Sequence, residues 1–210
     1  MKRDTNAHAL ATYVSDMLAL ERHVRVPFET QSKDTDFEEY GADELVQALF
    51  STANQHIELL EPALERLGGH PGSPVKSAVT QLEGFFAGAI DKVRKTKVSK
   101  ALRDDFTALA LCNAGYTALL STANALGDNE VATLAEAMLQ DYAGLIMEIG
   151  EALPAVVVAE LDEATDLDVD VDSVEDSRER VTAAWRGQET DSEGVETTVG
   201  IVESTGSILR

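Results

Sequence analysis

Apolar residues recur at steps of three and four through most of the first 160 positions, the spacing of one face of an α-helix. In the first such stretch Leu10, Val14, Met17, Glu21, Val24 and Phe28 fall on one line, and a carboxylate occupies its middle. The pattern predicts a helix over about 6–30, then a polar, acidic connection over 31–41. A second helix is expected from Asp43, with Val46, Leu49, Ala53, His56, Leu60, Ala63 and Leu67 facing inward. Gly68-Gly69-His70-Pro71-Gly72-Ser73-Pro74 ends it, and Pro62 is placed to kink it.

A shorter helix is expected over 75–95, with Val79, Leu82, Phe85, Phe86, Ile90 and Val93 on its apolar side. A third long helix over about 99–126 shows Phe106, Leu109, Asn113, Tyr116, Leu120 and Ala123 on one line, with Leu111, Cys112 and Leu119 alongside. After the break at Gly127-Asp128-Asn129 a fourth runs over about 130–153, carrying Val131, Leu134, Met138, Tyr142, Leu145, Ile149 and Leu153. Pro154 is expected to end it or to begin a further piece over 155–161.

Four long amphipathic helices, with one short helix in the middle connection, predict an all-α four-helix bundle over residues 1–160. The short links between helices one and two and between three and four make those pairs antiparallel hairpins. The inserted 75–95 helix leaves room for a long crossover between the hairpins. From residue 161 to 210 the chain turns to Asp, Glu, Ser, Thr and Val without helical periodicity, the composition of an acidic flexible tail. One amphipathic patch there predicts a short helix near 178–187 that docks back through Trp185.

Within the bundle Glu21, His56, Asn113 and Tyr142 each lie within about one turn of a helix midpoint and on an inward line, so antiparallel packing brings them to one level. Tyr116 adds a hydroxyl one turn from Asn113. A buried ionised carboxylate costs several kcal/mol unless something compensates it. Two compensations are open. Glu21 and His56 can be remnant ligands of iron or another transition metal, since carboxylate and imidazole converging in a bundle core build di-metal sites. Alternatively they satisfy each other, and Asn113 and the tyrosines complete a hydrogen-bonded layer that sets helix register. His23, Asp141 and Glu148 lie beside these lines and read as surface groups.

Charge and composition narrow the function. The net charge is -21, of which -11 falls between Glu160 and Arg210, where fifteen acidic residues face four basic ones. Such a surface repels nucleic acid and anionic membranes. No unbroken apolar run of 18 residues occurs, so no membrane span is expected. The opening residues lead into no apolar signal segment, and Cys112 is the single cysteine, which together point to the cytoplasm. Cys112 sits mid-helix without a histidine at catalytic spacing, and no nucleotide loop, paired-cysteine metal motif or hydrolase elbow is present.

Several stretches are similar to one family. Asp16-Met17-Leu18-Ala19-Leu20-Glu21-Arg22 and His56-Ile57-Glu58-Leu59-Leu60-Glu61-Pro62-Ala63-Leu64-Glu65-Arg66-Leu67-Gly68 resemble the first hairpin of bacterial YciE/YciF-type ferritin-like stress proteins. Gln81-Leu82-Glu83-Gly84-Phe85 and the stretch from Tyr116 through Ala125-Leu126-Gly127-Asp128-Asn129-Glu130-Val131-Ala132 extend the resemblance over about 6–153. It implies a ferritin-like bundle, dimeric, linked to stress response and built around a di-metal site. Glu21 and His56 match that family's first-helix carboxylate and second-helix histidine, and Tyr116 its third-helix tyrosine. Where such proteins carry Glu and His in helix three, this chain has Cys112 and Ala110, and its fourth helix lacks the acid-rich ligand turn.

Two signals lie in the acidic region. Asp168 to Glu179 places carboxylates at positions 1, 3, 5, 9 and 12 of a calcium-loop spacing, but Ser173 stands where such a loop needs glycine. The final Thr198 to Arg210 turns apolar again and loosely resembles the peptides that load ferritin-like cargo into encapsulin shells. The expected function is therefore a non-catalytic scaffold or interaction protein: a homodimer, with a protein partner reached through the acidic tail. A redox-active metal-carboxylate protein, or encapsulin cargo, are the alternatives.

Overall fold

The computed structural model describes residues 2–71, 97–163 and 166–186, which are helical with no strand among them. The helices are α1 (Lys2–Gln31), α2 (Thr35–Glu39), α3 (Asp43–Arg66), α4 (Val98–Leu126), α5 (Asn129–Asp162) and α6 (Ser173–Trp185). The expected 75–95 helix and the C-terminal segment from Thr198 lie outside the described residues. The first connection holds one element that the periodicity did not predict. Asp34 caps α2 by accepting the N–H of Asp36, and Phe37 pins that turn into the core.

Helix ends follow local chemistry. Asp128 accepts the N–H of Val131 at the start of α5, and Arg66 from the end of α3 reaches the same carboxylate at 2.9 Å. Gly127 closes α4 at φ 75°, the left-handed turn that glycine adopts without strain. Pro154 does not end the fourth helix. It forfeits one backbone hydrogen bond, but α5 continues to Asp162 because Val156 and Glu160 are buried beyond the proline. Glu160 secures the start of α4, accepting the N–H of Ser99 at 2.9 Å and its hydroxyl at 2.6 Å.

α1 packs most extensively on α3 and α4 on α5, and the two pairs join through α1–α4 and α3–α5 contacts. Each of these neighbours is antiparallel. Gln47 donates to the Ser32 carbonyl while His56 meets Glu21, so α3 descends as α1 ascends. Gln31 meets Asp105 while Glu21 meets Tyr116, so α4 also descends. The ends then fix the connection between the pairs. Arg66, closing α3, meets Asp128 at the α4–α5 turn, whereas Ser99, opening α4, meets Glu160 near the end of α5. The end of α3 and the start of α4 therefore lie at opposite ends of the helical core.

α1 approaches α4 closely at Gly115, where a Cβ atom would lie 2.5 Å from the Met17 sulfur. This contact is one residue from Tyr116 and one helical turn from Glu21, so it sets how near those two side chains come. Gly115→Ala gains helix propensity of about 1 kcal/mol but overpacks the contact at about 1–3 kcal/mol. The expected result is a net loss of about 1 kcal/mol, read from the urea midpoint.

α6 lies on α5, with Arg178 Nε donating to the Glu151 carbonyl at 3.0 Å and the Trp185 ring centroid 5.8 Å from that of Phe106. It begins five residues before the expected patch, and Trp185 keeps 53% of its surface exposed beside Phe106. Because it starts at Ser173, the second half of the calcium-type spacing is helix rather than loop. α5 is, by length and composition, apolar enough to cross a membrane, with an 18-residue stretch of mean hydropathy 1.5. Glu148 and Glu151 break any continuous apolar run there, which is why a search for an unbroken one misses it. Tyr142, Leu145, Ile146 and Ile149 of the same helix lie in the core.

Candidate functional site

Glu21 is fully buried, and four helices supply its surroundings. Its Oε1 accepts from the Tyr116 hydroxyl of α4 and lies 3.1 Å from His56 Nδ1 of α3. Its Oε2 accepts from the Tyr142 hydroxyl of α5. The carboxylate thus meets two phenols and an imidazole within one closed layer. His56, equally buried, turns its Nε2 to Asp141 Oδ2 at 3.3 Å. Each ring nitrogen of the imidazole thus faces one carboxylate. The rings also pack on each other: His56 lies edge-on to Tyr142 at 4.7 Å and to Tyr116 at 5.6 Å between centroids.

Asp141 extends the layer to the surface. Its side chain is 52% exposed, so water solvates the carboxylate that meets the buried imidazole. The sequence pattern had placed it beside the inward line as a surface charge; it is both half-exposed and in contact with His56. Glu148 is exposed and lines a groove of about 670 Å³ between α5 and α6, together with Glu151, Glu175, Arg178 and Glu179. His23 is half-buried beside the layer.

Asn113 stands apart from the expectation. It is half-buried, it makes no hydrogen bond to Glu21 or His56, and its buried side-chain oxygen has no partner. The inward line of α4 is Leu102, Asp105, Leu109, Cys112, Tyr116, Leu119 and Ala123, which turns Asn113 to the flank. Cys112 takes the inward position. Burial first, and then the Glu21 charge, push its thiol well above the usual range, so it stays protonated and is a poor nucleophile.

Burial and the Glu21 charge likewise hold Tyr116 and Tyr142 well above the ordinary phenol range. The folded protein keeps both phenols protonated, whereas in the unfolded chain they ionise near pH 10. Above that pH the unfolded state binds fewer protons, so stability falls as pH rises. Denaturation curves collected upward from pH 9 should steepen by about two protons above about pH 10. The Tyr116→Phe/Tyr142→Phe double variant, less stable at neutral pH, should lose that part of the alkaline slope.

A metal held by Glu21 and His56 together needs free lone pairs aimed at a common point. Here the Nδ1 of His56 faces Glu21 itself, Nε2 faces Asp141, and both Glu21 oxygens accept from tyrosines. Among the described residues, no three or more His, Cys, Asp or Glu side chains converge where a metal ion would sit. No family model, curated protein or solved structure matches the chain.

Proposed function

We propose that the chain is a ferritin-like four-helix bundle whose central layer has become structural, and that it serves as a non-catalytic scaffold or interaction protein. The observation that carries this reading is the closure of the layer. Each Glu21 oxygen and each His56 ring nitrogen has a partner inside the protein, so an ion would have to displace hydrogen bonds that the layer already makes. The connection between opposite ends of the core supports the ferritin-like assignment, because such bundles carry one long crossover between their hairpins. Stress response and a homodimer belong to the same proposal through the resemblance of the hairpin sequences, and the cytoplasm through the single cysteine.

The partner is another protein. With -11 of the -21 net charge lying from Glu160 onward, and Glu148, Glu151, Glu175 and Glu179 outnumbering Arg178 and Arg186 along the α5–α6 groove, the binding face of that partner is basic. Elemental analysis tests the central statement. Protein purified without chelator or affinity-tag metal, then incubated anaerobically with ferrous iron, manganese or zinc and desalted, should retain far less than one ion per chain. Stoichiometric metal that disappears in Glu21→Ala and His56→Ala would replace the scaffold reading with a redox-active metal carboxylate.

A further inference from the structure

A second buried polar pair lies away from the central layer, where the last residue of α1 meets α4. Gln31 Nε2 donates to Asp105 Oδ1 at 3.0 Å, and both side chains are 3% exposed. The other oxygen of each group, Gln31 Oε1 and Asp105 Oδ2, is buried and has no hydrogen-bond partner. Two acceptors left bare in the interior are costly, and each demands a donor. A primary amide beside a carboxylic acid has one solution that answers both needs. The amide N–H donates to the acid carbonyl while the acid O–H donates back to the amide oxygen, closing a ring of two hydrogen bonds.

We propose that Gln31 and Asp105 form this cyclic acid–amide pair, a pH-responsive clasp that holds the end of α1 to α4 while Asp105 carries its proton. When the proton leaves, the Nε2 donation remains, but Gln31 Oε1 loses its donor and an ionised carboxylate is left in the interior. The surroundings favour the neutral acid. Asp104, on the same helix, is the charge that acts on Asp105, and it has the same sign. Other charged groups at this end make contacts of their own: Asp104 with Arg103, Glu160 with Ser99 and Lys97, Glu29 with Lys33 and Arg25, and Glu163 with Tyr40. Burial pushes the Asp105 carboxyl up to about 7, against the smaller opposing pull of the Gln31 donor.

The sign of the pH dependence follows. The unfolded chain releases the Asp105 proton near pH 4 and the folded protein near pH 7, so the folded state is favoured below pH 4 and that advantage is lost as pH rises to about 7. Asp105→Asn places an N–H where the acid has its O–H and so copies the protonated clasp at every pH. The test is urea denaturation of the full chain at intervals from pH 4 to 8, compared with Asp105→Asn. Relative to the variant, the wild-type folding constant should fall about tenfold per pH unit up to about pH 7 and then level off. Parallel profiles would overturn the proposal. A titration of the Asp105 carboxyl carbon by NMR in the wild-type protein decides the matter if the variant fails to fold. A midpoint near 7 supports the clasp and one near 4 refutes it.

Discussion

Glu21→Leu is expected to destabilise the protein by about 4 kcal/mol, measured as the shift in the urea midpoint at pH 7. The carboxylate receives the Tyr116 and Tyr142 hydroxyls and faces His56 Nδ1, and all three donors are buried. Leucine fills much of the same volume but accepts nothing. Each orphaned buried donor costs about 1–3 kcal/mol, partly offset because an ionised group no longer has to be desolvated. Against a typical total of about 5–15 kcal/mol, this is a large fraction of stability. Glu21→Gln keeps one acceptor oxygen but brings two N–H groups into a site already rich in donors. Its expected cost is smaller, about 1–2 kcal/mol. Equal losses for Gln and Leu would mean that the acceptor role assigned to Glu21 is wrong.

His56→Leu is expected to cost about 3 kcal/mol, while Asp141→Asn should fall within about 1 kcal/mol of wild type. The difference comes from exposure. Removing the imidazole deprives a fully buried carboxylate of its nitrogen donor, whereas the Asp141 side chain is half in water and solvent replaces what it loses. The double variant Glu21→Leu/His56→Leu should lose about 2 kcal/mol less than the two single losses together, because each single change leaves a buried partner stranded that the double change removes. Strict additivity in that cycle would show that the two side chains do not act on each other.

Much of this layer is legible from helical spacing. Glu21, His56 and Tyr142 sit on inward lines close to helix midpoints, and Tyr116 is one turn from the third. What spacing did not resolve is rotation about the third helix axis. Two lines share Leu109, Tyr116 and Ala123; one also takes Phe106, Asn113 and Leu120, and the other takes Leu102, Asp105, Cys112 and Leu119. The second is buried. Both lines alternate steps of three and four, so spacing alone does not separate them; burial of Leu102, Asp105, Cys112 and Leu119 does, and it places Asp105 in the core. The same alternation extended past Phe28 reaches Gln31. That residue was hidden because the first helix was ended at Thr30, where polar residues begin. Of the clasp, therefore, only Gln31 had a signal in the spacing, and Asp105 needed the rotation of α4 that packing sets.

Asp141 was hidden for a different reason. A half-exposed carboxylate on the flank of a helix has the pattern of a surface charge, and only the position of His56 on the neighbouring helix gives it a role. Pro154 shows the limit of local rules. Proline stops an isolated helix, but burial of Val156 and Glu160 beyond it outweighs the one missing hydrogen bond. The α6 helix combines both cases. Its amphipathic patch is visible around Trp185, yet its start at Ser173 follows a local turn in which the Ser173 hydroxyl donates to the Asp170 carbonyl at 2.6 Å.

The central claim is that the Glu21–His56–Tyr116–Tyr142 layer is complete without a metal. A ligand that binds the folded protein and not the unfolded chain raises stability in proportion to the logarithm of its concentration. The most direct measurement is thermal denaturation of the full chain in chelator and in increasing ferrous iron, manganese or zinc under anaerobic conditions. The layer described above predicts one midpoint in all of them. A midpoint that climbs with metal concentration in the wild type, but not in Glu21→Gln, would contradict it.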